Sequence, residues 1–187
     1  MGEETGSIEP LGWNVLVTTR EGAQRAVRRA LARLVRLRPS GYRNVLIGRA
    51  DHPQALLEGI AELRGLGTLR DDQLGRVLPI EHTFRVDAPN FDAQLRAETA
   101  PLLPRLAQRR FHVRIERRGH KGIINTMRSE QALGDYLGSE LEGRGLYAGV
   151  DFRDPDVVLT VELIGDRGGI GLVTRELRQR FSFVRID

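Results

Sequence analysis

The chain has no cysteine among its 187 residues. That excludes disulfides, cysteine–zinc sites, iron–sulfur clusters and thiol nucleophiles. Aromatic residues make up only 5% of the chain, too few for a broad base-stacking platform. No apolar run approaches the roughly 18 residues that cross a bilayer, so no membrane partner is expected. The N-terminus MGEETGSIEP is polar and acidic, without the apolar stretch of a signal peptide, and a cytoplasmic protein is the default expectation. Lysine is nearly absent too: Lys121 is the only one among 29 basic residues.

What is present is a soluble, globular composition, 40% hydrophobic and 29% charged, with length for one ordinary domain or two small ones. The net charge is only +4, but it is unevenly spread. Residues 20–38 and 105–121 carry about +6 each, which leaves about −8 on the rest. Two basic blocks on an acidic body suit a polyanionic partner.

The periodicity predicts a strand at 13–19, then a helix from Glu21–Gly22 to about Arg38, stopped by Pro39. On that helix Arg25, Arg29, Arg33 and Arg36 share a face away from the apolar stripe. Like charges so placed repel by about 0.2–0.5 kcal/mol per pair. Such a face is either solvated or awaiting phosphates, and sequence alone leaves both open. A strand at 44–49 follows, then a helix opened by Pro53, then a strand over 76–86 broken early by Pro79. A helical period over 91–108 should split at Pro101 and Pro104.

The stretch FHVRIERRGHKG, 111–122, reads as a strand with Phe111, Val113 and Ile115 on the core face and a cationic exit. The next helix is expected from Arg128–Ser129, with Ser129 as its cap. A long strand within 150–165, a glycine hairpin at 165–169, a returning strand at 170–176 and a short strand at 181–186 complete the chain. Alternation of strands and helices indicates an α/β fold, an α+β sandwich with sheets covered by helices on one face.

Catalytic constellations do not appear. His52, His82, His112 and His120 form no metal motif. Asp151, Asp154 and Asp156 in VDFRDPD are explained by turn chemistry better than by a metal loop. GDRGGIG lies between two strand-like runs, so the hairpin reading prevails over a phosphate loop. No cofactor is expected.

Residues 111–173 carry a resemblance. FHVRIERRG with its basic exit, SEQALGDYLG on the helix, and VDFRDPDVVLTVELIGDRGGIGL together resemble the THUMP domain. The likeness is good over roughly 75–175, and GWNVLVTTREG with its helix resembles the small ferredoxin-like domain that precedes THUMP. The resemblance implies a ferredoxin-like βαβ-type domain at 10–70, a THUMP α/β domain with a mixed sheet at 71–176, and a tail at 177–187. It implies a tRNA-binding module that docks the 3′ end of the acceptor stem. The chain ends about a dozen residues past the last hairpin, a layout similar to stand-alone THUMP adaptors. The expected function is therefore an adaptor, not an enzyme, serving a separate RNA-modification enzyme such as a cytidine acetyltransferase. The matching contacts are Arg114, Arg117, Arg118, Lys121 and Arg128. His120 joins them from its place in the basic loop, and Arg25, Arg29, Arg33 and Arg36 from charge alone. Two alternatives stand beside this. One is a protein-interaction subunit; the other is an enzyme with a site around Asp151, Asp154, Asp156 and His120.

Overall fold

The computed structural model describes residues 12–186. The expectation that MGEETGSIEP is no targeting segment falls outside the described residues.

The first layer is a four-stranded sheet of β1 (Val15–Thr19), β2 (Arg36–Pro39), β3 (Val45–Arg49) and β4 (Leu74–Pro79), in the order β2-β3-β1-β4. All its pairings are antiparallel. Two helices, α1 (Gln24–Ala30) and α2 (Pro53–Gly65), cross between strands and cover one face. Val15, Val17, Val27, Leu31, Leu46, Leu57 and Ile60 form the core beneath them.

The second layer is a mixed five-stranded sheet of β5 (His82–Arg85), β6 (Arg109–Arg118), β7 (Ala148–Val150), β8 (Val157–Ile164) and β9 (Arg167–Thr174). Its order is β5-β9-β8-β6-β7; β6 runs parallel to β7 and β8, and the other pairs are antiparallel. Helices α3 (Phe91–Thr99), α4 (Leu103–Leu106) and α5 (Thr126–Gly143) supply its core with Phe91, Leu95, Leu106, Leu133, Leu137 and Leu141. Phe111, Val113 and Ile115 of β6 are buried against them, as their alternation requires. A 3-10 turn at Ala100–Leu102 separates α3 from α4, where Pro101 and Pro104 remove helical donors.

The two sheets meet along a second core of Trp13, Leu16, Val45, Ile47, Ile80 and Ile164. Strands at this seam are buried on both faces, and every residue of β8 is buried. Helices cover one face of each sheet, as expected from sequence, and at this seam the second faces meet each other. The seam is close. A Cβ at Gly169 would sit 2.4 Å from the Trp13 ring, and one at Gly171 would sit 2.3 Å from the Pro79 carbonyl. These glycines serve close approach, while the positive φ of the hairpin falls on Gly165 at 59°.

Other expectations shift as well. Residues 76–86 are two strands in different sheets. Ile80 N–H donates to Asn14 O and Glu81 N–H to Ile170 O, so adjacent residues bond to opposite layers. The first sheet therefore runs to Pro79, past the expected boundary at 70/71. The helix expected to reach Arg38 ends at Ala30, because Val35 and Leu37 are buried while Arg36 is exposed, a period of two that pairs with β3. Helix α5 starts at Thr126, capped by Asn125, whose side chain accepts from Arg128 N at 3.1 Å; Ser129 instead bonds Asp92. Residues 175–180 form α6 (Arg175–Arg180), and 181–186 are not a strand. That tail is packed: Phe181, Phe183 and Val184 lie in the first core, and Phe183 O accepts from Val77 N at 2.9 Å.

Candidate nucleic-acid interface

Strand β6 and its exit loop hold five of the ten residues expected to grip RNA, and they divide sharply. Arg114 pairs with Glu130 of α5 at 3.6 Å. Arg117 donates to Gly119 O at 2.9 Å, tying back its own loop. Arg118 points into the seam, 13% exposed, with Glu162 at 2.7 Å and Glu116 at 3.2 Å. Glu162 also receives Arg76 of β4 at 2.9 Å, and both side chains are 3% exposed. Four charges thus bridge the two sheets. Arg118 is a structural ion here, its guanidinium engaged by two carboxylates of the seam.

His120 sits in the left-handed region at φ 51°, its Nε2 2.8 Å from Gly165 O, which pins the loop to the hairpin turn. Lys121 is exposed at the loop's apex, and Arg128 is exposed on the first turn of α5. The loop leads into a hollow of about 420 Å³ where the N-termini of α3 and α5 converge. Asn90, Asn125 and Arg128 line it, with Asp92 held by the Ser129 hydroxyl. Backbone N–H groups at two helix starts favour anions, and Arg128 adds an exposed positive charge.

The first layer carries a separate basic surface. Arg25, Arg28, Arg29 and Arg36 surround a hollow of about 410 Å³ without a carboxylate among its lining residues. A neighbouring hollow shares Arg28 and Arg36 and adds Arg38, Arg49 and Trp13. Arg33 lies in the turn after α1 and lines neither. The helical stripe expected from sequence is therefore a helix–strand cleft. Arg28 on α1 lay outside the expected stripe, and its Nε donates to Leu37 O of β2 at 3.1 Å; Arg49 was missed because only the pairing of β2 with β3 brings it to the neighbouring hollow.

Residues 93–173 match the family model of the THUMP domain. The chain contains a THUMP domain. The match spans the elements from α3 to β9 and includes the cationic loop and the α5 N-terminus. No curated protein sequence matches the chain. Among solved structures, a 4-thiouridine synthetase–RNA complex with bound ATP superposes with a TM-score of 0.58 at 14% identity, over 87% of this chain and 41% of that one. TrmN from Thermus thermophilus gives 0.57 at 14%, over 86% and 44%. PH1313 from Pyrococcus horikoshii gives 0.54 at 12%, over 87% and 55%. At these identities the likeness is one of fold, and the chain spans about half or less of those proteins' lengths. Coverage of 86–87% shows that the layer preceding the THUMP domain is part of the shared fold.

Within the THUMP domain the acidic triplet is internally satisfied. Asp151 accepts from Arg153 N at 2.8 Å and Asp154 N at 3.0 Å, and these backbone bonds hold its carboxyl below the usual range. Asp156 is lowered first by the Arg110 backbone N–H and then by the Arg110 and Arg175 guanidiniums. Among the described residues no cluster of histidine and carboxylate groups could hold a metal. His120 lies on the other loop, bonded to Gly165. His52 precedes α2 without capping it through its side chain, and His82 bonds Glu98.

Proposed function

We propose that this chain is a tRNA-docking module that holds the 3′ end of the acceptor stem for a separate RNA-modifying enzyme, a cytidine acetyltransferase being one such partner. It works in the cytoplasm and carries no catalysis of its own. The observation that carries the reading is the THUMP domain, whose exposed Arg128 lines a hollow fed by two helix starts, with exposed Lys121 in the loop that leads to it. The β-α-β-β-α-β order of the first layer supports reading it as the ferredoxin-like companion. Its arginine cleft offers a second phosphate surface. Phosphate contacts position an RNA without reading its sequence, and the arginine bias suits bidentate contacts.

Anisotropy titration of the full chain with tRNA tests this. Binding should weaken steeply with salt and with removal of the 3′ end. Lys121→Glu with Arg128→Glu should lower affinity at least tenfold, since each lost phosphate contact replaced by repulsion costs more than about 1 kcal/mol. Absence of binding at low salt would sink the proposal.

A further inference from the structure

One hollow lies apart from the cationic loop and from the junction of α3 and α5. It opens on the seam between the two layers and encloses about 500 Å³, a size common among small-molecule sites. Its apolar wall is drawn from both layers: Leu57 of α2, Ile80 at the crossing between the sheets, Leu172 of β9 and Leu177 of α6. The first three are buried and Leu177 is half-buried, so the wall is fixed by the cores on either side.

Three kinds of donor meet at this hollow. Trp13 lines it and is only 2% exposed, yet its Nε1–H has no hydrogen-bond partner. A buried N–H left unpaired is costly, and an acceptor arriving from outside removes that cost. Arg49 also lines it and is exposed. Glu81 is the one carboxylate among the described residues of the lining, and Arg105 already holds it. Helix α2 starts here, with Pro53 and Gln54 in the lining. No side chain caps that helix, and Leu56 N–H, bonded to His52 O at 3.0 Å, leaves the Gln54 and Ala55 N–H groups ahead of it. A helix start, a guanidinium and an indole N–H together favour an anion whose oxygens accept from them. A bare ion would answer the donors and leave the apolar wall without contact. An uncharged apolar molecule would do the reverse.

We propose that this hollow binds a small organic anion, a carboxylate or phosphate monoester carried on a short apolar body. The anionic head meets Trp13, Arg49 and the start of α2, and the body lies along Leu57, Ile80, Leu172 and Leu177. Because the wall comes from both layers, the bound molecule ties them together. The site stands independently of the RNA-binding reading.

Trp13 is the chain's only tryptophan, so its fluorescence reports this hollow directly. The full chain is titrated with acetate, butanoate, hexanoate, hexyl phosphate, hexanol and inorganic phosphate. The acids should shift the emission saturably and tighten about threefold per added methylene. Hexanol should bind at least tenfold more weakly than hexanoate or hexyl phosphate, and whichever of those two binds tighter assigns the head group. Hexanoate should also raise the Tm of the wild type, a readout that needs no variant. Arg49→Gln, at an exposed position, should weaken hexanoate about tenfold. Leu177→Ala should weaken hexanoate several-fold and leave acetate unchanged. No saturable response to hexanoate, equal binding of hexanol, or unchanged binding by Arg49→Gln overturns the proposal. Inorganic phosphate as tight as hexyl phosphate, or acetate as tight as hexanoate, overturns it in favour of a bare anion site. Hexanoate binding by a chain that binds no tRNA supports the hollow and removes the docking proposal alone.

Discussion

Replacing Arg76 by methionine tests whether the buried ion cluster holds the two sheets together. Arg76 lies on β4 of the first layer, 3% exposed, 2.9 Å from Glu162 on β8 and 3.3 Å from Glu116 on β6. Methionine fills much of the space but leaves Glu162, also 3% exposed, with Arg118 alone at 2.7 Å. Removing one partner of a buried pair costs about 3–5 kcal/mol, and the surviving arginine places this case near 3 kcal/mol. For a chain of this size that is a fall in Tm of about 6–12 °C. The pH dependence identifies the cause. Burial pushes the Glu162 carboxyl up against the pull of Arg76 and Arg118. Without Arg76 its folded pKa rises further above the unfolded value near 4.3. A raised folded pKa contributes stability below the unfolded pKa and loses it as pH rises through the folded pKa. The deficit of the variant should therefore be greatest at neutral pH and shrink toward pH ~4.5, where Glu162 is protonated. Circular-dichroism melts across that range measure it. The double variant Arg76→Met/Glu162→Leu should recover most of the loss, since an apolar pair replaces an ionic one. A deficit below about 1 kcal/mol at neutral pH, or one that does not change with pH, refutes the reasoning.

Three further outcomes are expected. Gly171→Ala should destabilise more than Gly169→Ala, because its new Cβ meets the fixed Pro79 carbonyl at 2.3 Å, and both should exceed about 1 kcal/mol by chemical denaturation; Gly138→Ala, with nothing within 4 Å on α5, should instead stabilise by about 0.5–1 kcal/mol. Asp151→Asn should lower Tm at pH 6 but lose that effect as pH falls below about 4, because a depressed carboxyl contributes stability above its unfolded pKa and forfeits it on protonation. Arg25→Gln with Arg29→Gln should reduce the slope of log affinity for tRNA against log salt by about 0.7–0.9 per arginine in contact with phosphate, and an unchanged slope would show a solvated face.

Legibility from sequence followed period. The β6 core face at Phe111, Val113 and Ile115, the proline break after α3 and the β8–β9 hairpin were all readable, because one local pattern determined each. β2 was not, because the arginines of residues 20–38 fit a helical face as well as an alternating strand, and only the burial of Val35 and Leu37 decides between them. The split of residues 76–86 was hidden for a different reason: one peptide step at Ile80–Glu81 carries the chain from one sheet to the other, and sequence period has no term for a partner. The role of Arg118 had a signal. Glu162 stands alone in the apolar run VVLTVELIG, and a carboxylate in a fully buried strand requires cations opposite it.

That signal changes which experiment can discriminate a phosphate grip from a solvated rim. Reversing the charge of the whole Arg117–Arg118–Lys121 cluster would place a third carboxylate beside Glu162 and Glu116, both within 3.2 Å of the Arg118 side chain. Loss of RNA binding would then follow from a broken seam whether or not the loop touches RNA. Only Lys121 and Arg128 can be reversed on this surface without disturbing a buried partner, since both are exposed and neither bridges the sheets. The most conspicuous pair of arginines in the sequence, Arg117 and Arg118, thus holds the loop and the seam in place. The cations left to meet a phosphate are the ones the fold leaves exposed, at the loop apex and at the first turn of α5.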